Sequence, residues 1–400
     1  MNEFPTDGSR RPPANLSSSR RTFLQGAAAI ALLPALSHRA LAADGVIKIG
    51  QVQALTGPSA EHGVRARDGA TLAAEEINAA GGIRDAANRA YRLELLEGDM
   101  VNDPRQAITL LRNYAADPDV LCVLGPTNSV GFLPMTPVAE QFSIPLIGNG
   151  SGAPIKQWNT WAYRVNPTSL SATPVLLKTI VAKHGIKRLA ILVDQTSEVH
   201  VGDAEICRNL AGELDYEVVA DEAYSAGNQD FAAQITKIRF AKPDALFLAA
   251  TPGDGAKAAL QIDEAGLGVP LITGFGAFQD PVYWDNSRGT IANGYTWIAQ
   301  DLAHSSGALS QWTKTYNERF RFEATIQSAF GYDSVYAVAN AIATCAEPTR
   351  DELHRALMNL NTTTPIRTSI SFKNPPTGDN LTPTVTVIQV TGRGEYVAVS

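Results

Sequence analysis

Three polar turns carry the residues best suited to hold a small polar molecule. The first, Gly125-Pro126-Thr127-Asn128-Ser129, runs from an apolar segment into a helix start. There, unpaired backbone N–H groups and the helix dipole favour an anion. The Ser129 hydroxyl would add a hydrogen bond to a carboxylate, although serine serves equally well as a helix N-cap. Thr127 and Asn128 flank it and face the same crevice. The second turn, Gly148-Asn149-Gly150-Ser151-Gly152, offers backbone at Gly150 and a hydroxyl at Ser151. It formally satisfies the dinucleotide pattern GxGxxA. Pro154 follows at once, however, and no acidic residue ends a strand about twenty positions on, as ribose binding needs. The third turn, Leu55-Thr56-Gly57-Pro58-Ser59, precedes His62 and Gly63.

Catalytic and cofactor patterns are missing: the chain has no GxxxxGK[ST], HExxH, GxSxG or CxxC. Its six histidines are scattered without metal-ligand spacing. Cys122, Cys207 and Cys345 are odd in number and far apart, with Cys122 inside an apolar strand as a buried free thiol. No enzyme, cofactor or metal reading is supported. With 40 acidic and 33 basic residues the chain is acidic and has no basic cluster, which argues against nucleic acid and anionic membranes as partners.

The turns need a scaffold of strands and helices, and the sequence supplies one. Val46 to Ile49 is a strand, and a helix carrying Leu72, Ala73, Glu76 and Ile77 ends at Gly81-Gly82. Leu93 to Leu96 is a strand, followed by a helix start with Asp103 as cap and Pro104 at the first position. Val120 to Leu124 and Ile144 to Ile147 are further strands. A second series, Leu189 to Val193, Glu217 to Ala220, Ala245 to Ala249 and Leu271 to Thr273, alternates with helices in the same way. Such alternation predicts βαβ crossovers and mainly parallel sheets, an α/β fold.

The first 42 residues have the order of an export signal. Ser19-Arg20-Arg21-Thr22-Phe23-Leu24-Gln25 has the twin-arginine form, with an apolar run from Gly26 to Leu36 and a cleavage pattern at Ala40-Leu41-Ala42. The run is too short to span a bilayer, which needs roughly 20 residues, so no stable membrane insertion is expected. Removing residues 1–42 takes away five basic and two acidic side chains and shifts the formal charge from −7 to −10. About 358 residues then remain, more than one comfortable core, which implies two lobes.

The run VIKIGQVQALTGPSAEHGVRARDGATLAAEEINAAGGI, Val46 to Ile83, resembles the opening of the branched-chain amino-acid-binding family. These are periplasmic solute receptors of ABC transporters with the type I periplasmic binding-protein fold. The LTGP turn, Gly63 and the EEINAAGG helix end carry the likeness, and Asp230-Phe231 and Lys242-Pro243-Asp244-Ala245 extend it. The resemblance implies two Rossmann-like lobes joined by a three-strand hinge. Residues 43–164 plus 300–366 would form lobe 1, and 165–299 plus 367–400 lobe 2. Crossovers would fall near Tyr163–Val165, Tyr295–Gln300 and Pro365–Ile370, and the helices from Trp312 to Cys345 would return to lobe 1. A first-lobe disulfide common among relatives would fall at Asn102 and Asn128, and is therefore absent.

For the site, the resemblance implies ligand contact at Ser129 and at the Gly150-Ser151 turn, and places His62 where relatives often carry a cleft tyrosine. Two second-lobe acids that hold a ligand ammonium in amino-acid receptors correspond to Ser169 and Gly276. A buried ammonium needs an acidic partner. The expected ligand is therefore a carboxylate without an α-ammonium, aromatic or short aliphatic, with Phe275 and Phe278 at its apolar end. Asp254 and Glu198 remain as substitute acids, although Asp254 fits more simply as the cap of a helix beginning near Ala256. Trp158 and Trp161 are expected to pack at the lobe junction, and Tyr332-Asp333 to pack with a local hydrogen bond. The implied protein is a monomeric periplasmic receptor that closes on a small molecule and docks on a membrane permease. Alternatives are an amino-acid receptor, or a sensor feeding a membrane kinase.

Overall fold

Two α/β halves account for residues 44–399, the span that the computed structural model describes apart from 58, 154, 156–159, 275–277, 279–280 and 374–377. The leader with Arg20 and Arg21 lies outside the described residues, as do Trp158, Phe275 and Gly276. The first half opens with β1 (Gly45–Gln53), α1 (Ala60–Ala79), β2 (Ile83–Arg84), β3 (Ala90–Asp99) and α2 (Pro104–Ala116). It continues with β4 (Val120–Leu124), α3 (Ser129–Gln141), β5 (Leu146–Gly148) and β6 (Ala162–Arg164). The strands pair in the order β2-β3-β1-β4-β5-β6, parallel except for β2 on β3.

The second half comprises α4 (Ser169–His184), β7 (Arg188–Asp194), α5 (Glu198–Leu210), β8 (Glu217–Tyr224) and α6 (Ala232–Ala241). After these come β9 (Ala245–Ala249), α7 (Pro252–Glu264), β10 (Leu271–Ile272), α8 (Pro281–Asn286) and β11 (Tyr295–Ile298). The chain then returns through α9 (Gly307–Phe320), α10 (Ile326–Ile342), α11 (Arg350–Met358) and the hairpin β12 (Asn361–Thr363) and β13 (Ser369–Ser371). Finally β14 (Thr386–Gly392) and β15 (Glu395–Ala398) close the second sheet in the order β15-β14-β11-β10-β9-β7-β8. Both are antiparallel additions to an otherwise parallel sheet.

Side-chain alternation along β1 shows why the sheet needs a layer on each face. Ile47 and Ile49 join the core built with α1, α10 and α11, whereas Val52 and Ala54 join the core under α2 and α3. Each fully buried Ile, Leu or Phe stabilises by roughly 1.5–3 kcal/mol. Trp312, Tyr316 and Phe330 lie in that first core, so α9 and α10 pack on the first half. So do Ile366, Ile370 and Phe372, and the chain enters the second core at Val385 and Val387. Trp161 stacks on His354 with ring centroids 4.0 Å apart. Among the described residues, no helix is long and apolar enough to cross a membrane.

Candidate ligand-binding site

The polar turns gather at the carboxyl ends of the first sheet, where open α/β sheets hold ligands. Asp99, at the end of β3, fixes the first of them. Its carboxylate accepts from the Leu55 and Val101 backbone N–H groups, both at 2.8 Å, and from the Thr56 hydroxyl at 2.6 Å. Burial pushes this carboxyl up, but those hydrogen bonds outweigh it and hold Asp99 below the usual range. Gly63 brings α1 against this turn: a β-carbon there would lie 2.1 Å from the Ala54 carbonyl oxygen. His62, in the first turn of α1, is exposed.

The second turn resolves the two roles open to Ser129. Asn128 is the N-cap of α3, accepting from the Gly131 N–H at 3.0 Å. Ser129 is therefore the first helical residue, and its hydroxyl lies 3.0 Å from that of Ser151. The Ala153 backbone N–H donates to the same Ser129 oxygen at 3.3 Å. Beneath this pair Gln53, itself buried, ties the two turns together: its carbonyl oxygen accepts from the Thr127 N–H at 3.2 Å, and its amide donates to Asn149 Oδ1 at 3.1 Å. Gly150 closes the contact, since a β-carbon there would sit 2.6 Å from the Thr127 carbonyl oxygen. Two donors in this floor, Thr127 Oγ1 and Asn149 Nδ2, are buried without a hydrogen-bond partner.

Arg164 anchors the Ser151 turn from below. Its guanidinium forks onto Asp379 at 2.6 and 2.9 Å and donates to the Ala153 and Ser151 carbonyls at 2.6 and 3.2 Å. Arg164 and Asp379 are both almost fully buried, so each needs the other. Asn166 adds a hydrogen bond from its side-chain amide to the Ser151 carbonyl at 3.0 Å.

A cavity of about 130 Å³ separates this turn from the second half, with Gly152 and Arg164 on one side and Thr168, Ser169 and Gly202 on the other. Ser169 and Gly152 thus line the same cavity. Behind Ser169 lies an acid that the sequence reading did not single out. Asp203, on α5, is 2 % exposed and accepts from the Thr173 hydroxyl at 2.8 Å. Burial pushes its carboxyl up to about 6, against the opposing hydrogen bonds from Thr173 and Ser169. A β-carbon on Gly274, at the end of β10, would meet its Oδ2 at 2.5 Å.

The other candidate residues are placed apart from this group. Asp254 lies in the first turn of α7, which starts at Pro252 rather than near Ala256, with Thr251 at the N-cap position. Its carboxylate accepts from the Gly227 N–H at 2.7 Å and lies 3.5 Å from Lys257 Nζ. Glu198 is exposed at the start of α5. Phe278 is buried in the second-half core, edge-on to Tyr283 with centroids 5.1 Å apart. Cys122, Cys207 and Cys345 are buried free thiols, and the Asn128 and Asn102 side chains are joined by a hydrogen bond of 3.0 Å. Among the described residues, no group of three or more His, Cys, Asp or Glu is arranged to hold a metal ion.

Residues 46–395 match the family described as periplasmic binding protein. The chain belongs to that family. Leu/Ile/Val-binding protein BraC3 of Rhizobium johnstonii is 27 % identical to this binding protein over 251 residues. That match covers 61 % of the chain and 66 % of the relative, just under two thirds of its length. Leu/Ile/Val-binding protein homolog 1 of Brucella abortus is 25 % identical over 342 residues, 84 % of this chain and 88 % of that one. Among solved structures, a putative branched-chain amino acid ABC transporter protein from Rhodospirillum rubrum superposes with a TM-score of 0.74 at 22 % identity, covering 88 % of this chain and all of its own. A substrate-binding protein from Desulfitobacterium hafniense in complex with Leu gives 0.70 at 19 %, over 88 % and 99 %. A solute-binding protein from Rhodopseudomonas palustris in complex with 3,4-dihydroxybenzoic acid gives 0.66 at 20 %, over 86 % and 93 %. The binding protein thus has the type I periplasmic fold that its turn motifs implied.

Proposed function

We propose that this protein captures a small organic carboxylate between its two halves and presents it to the membrane permease of an ABC importer. The two halves act as lobes, divided after Val165, before Ala299 and after Phe372, the last of these later than the 366/367 boundary that the resemblance implies. Export through the twin-arginine pathway and action as a periplasmic monomer belong to the same reading. The observation that carries it is the Ser129–Ser151 hydroxyl pair at the start of α3. Because Asn128 does the capping, the Ser129 hydroxyl is not committed to the α3 backbone, and the first turn of α3 contains no acid to repel an anion. The fold holds leucine in one neighbour and an aromatic acid in another, so side chains and not topology make the choice.

One observation favours a second reading, an amino-acid ligand. Ser169 supplies no charge, yet Asp203 behind it is a buried carboxylate without a cation, and a ligand ammonium would supply one. Thermal shift of the purified protein against aliphatic acids, aromatic acids and amino acids separates the two. A true ligand stabilises by about 2.7 kcal/mol at a hundredfold excess over its Kd. Stabilisation by acids without an amino group, lost in Ser129→Ala, is the expected result. Stabilisation by leucine-like amino acids alone would sink the missing-ammonium argument and make Asp203 the residue to mutate.

A further inference from the structure

Asp333 sits in the middle of α10, 0 % exposed. Its Oδ2 accepts from the Gln300 side-chain amide at 3.2 Å, and the hydroxyls of Thr364 and Thr368 also act on it. The same Gln300 amide donates to Thr368 Oγ1. Two oxygens of this cluster, Asp333 Oδ1 and Gln300 Oε1, are buried with no hydrogen-bond partner. Both amide hydrogens of Gln300 are thus spent, on Asp333 Oδ2 and on Thr368, and an ionised Asp333 has only the Thr364 and Thr368 hydroxyls besides to meet its charge. A proton on Asp333 would remove the buried charge and add an O–H donor to a cluster that holds two unpaired oxygens, Asp333 Oδ1 and Gln300 Oε1.

The cluster joins the places where the chain passes between the halves. Gln300 follows β11, where the chain leaves the second sheet. Thr364 and Thr368 close the β12–β13 hairpin, with the Thr364 N–H donating to the Thr368 carbonyl at 2.9 Å. That hairpin bonds to Asn380: the Ser371 N–H donates to Asn380 Oδ1 at 3.0 Å, and Asn380 Nδ2 donates to the Ser369 carbonyl at 2.8 Å. Asn380 Nδ2 also reaches the Val165 carbonyl at 3.0 Å, and the adjacent Asp379 holds Arg164 under the Ser151 turn. A continuous polar network thus runs from Asp333 through all three passages to the serine pair.

We infer that Asp333 is a positioning residue of the hinge that works by taking up a proton, clamping the second passage to the β12–β13 hairpin when neutral and loosening that clamp when ionised. The step moves one proton from solvent to Oδ1 and changes no covalent bond. Burial without a cation pushes this carboxyl up to about 6. Several ionisable groups on the elements packed against α10 are engaged elsewhere, while Arg65 on α1 lies over the Phe322 ring with its Nη1 buried and without a hydrogen-bond partner. On α1, Asp68 pairs with Arg67, Glu75 with Arg319, and Glu76 with the Tyr332 and Tyr336 hydroxyls. On α11, His354 bonds Tyr163 and Glu352 faces Arg355; on β2, Arg84 bonds Asn88; on β4, Cys122 is a buried neutral thiol. The folded state holds the extra proton between the ordinary carboxylate value and about 6. This group's contribution to stability is therefore present below that window and lost as pH rises through it.

The test is thermal unfolding of the full chain from about pH 4.5 to about pH 8, for wild type, Asp333→Asn, Asp333→Leu and, because Asp203 titrates in the same window, Asp203→Asn. Asparagine reproduces the neutral acid's donor and acceptor. The melting temperature of Asp333→Asn should match wild type at the acid end and exceed it by several degrees at the alkaline end. Asp333→Leu should be less stable throughout, and Asp203→Asn should keep the Asp333-dependent part of the slope. Amide hydrogen exchange in residues 300–303 and 364–368, corrected for intrinsic rate, should quicken with pH in wild type and stay level in Asp333→Asn. A wild-type-to-Asn difference that does not change with pH, or an Asn variant less stable than wild type at the alkaline end, would overturn the proposal. The outcome is independent of which ligand the crevice takes.

Discussion

The two sheets end in equivalent helix starts that have opposite electrostatics. In the first half α3 begins with an asparagine cap, no acid in its first turn, and a serine hydroxyl pair beside it. In the second half α7 begins at Pro252 with no side-chain cap, and Asp254 occupies the first turn. Asp194 and Asp254 are both buried and both act on Tyr224, and His200, 3.6 Å from Asp194, has its protonation lowered by burial despite that neighbour. Burial and the nearby Asp194 and Asp254 also keep the Tyr224 phenol firmly protonated. One topology thus yields a helix start without an acid in its first turn and a helix start with one. Under the proposed function, a carboxylate ligand would turn its acid group toward the first half.

Four variants would break or sharpen that contrast. Arg164→Ala should have the largest effect, because Asp379 is left as a buried, unpaired carboxylate and the Ser151 turn loses its support. We expect a loss of about 3–5 kcal/mol in a urea titration, and an unchanged midpoint would show that the pair contributes nothing. Ser129→Asp makes the first end resemble the second. Binding of acids, followed by isothermal titration calorimetry, should weaken by roughly a hundredfold or more, since like charges in close contact cost several kcal/mol. Asn128→Ala removes the α3 cap and should lower stability by about 1 kcal/mol. It should also weaken acid binding if the helix start is the anion site. Asp254→Asn keeps the acceptor for Gly227 but removes a charge from the second end. Acid affinity should rise by no more than a few fold, and a fall would mean that Asp254 contacts the ligand directly.

Legibility in the sequence followed contact range. The β4 and β9 strands stand where their apolar runs predict, and Asp103-Pro104 starts α2 through the expected cap and N1 proline. Local signals failed where several neighbours suit one role. Thr127, Asn128 and Ser129 are all cap-type residues, and only backbone geometry selects Asn128. The start of α7 was readable from Pro252, an N1 signal that outweighs the more familiar aspartate cap. What no spacing argument reaches is the set of long-range polar contacts. Gln53 meets Asn149 across 96 residues, and Arg164 meets Asp379 across 215. Asp203 looks in sequence like an ordinary helix-surface acid, and Asp333, expected to make a local hydrogen bond, instead meets Gln300 across 33 residues.

The Asn102–Asn128 hydrogen bond has a consequence for where this protein can mature. It joins the β3–α2 loop to the α3 start with a link that needs no oxidant, no isomerase and no pairing of thiols. The three cysteines are buried apart as free thiols, so no step of folding waits on electron transfer. The finished shape therefore contains no sulfur–sulfur bond for a change of redox surroundings to break.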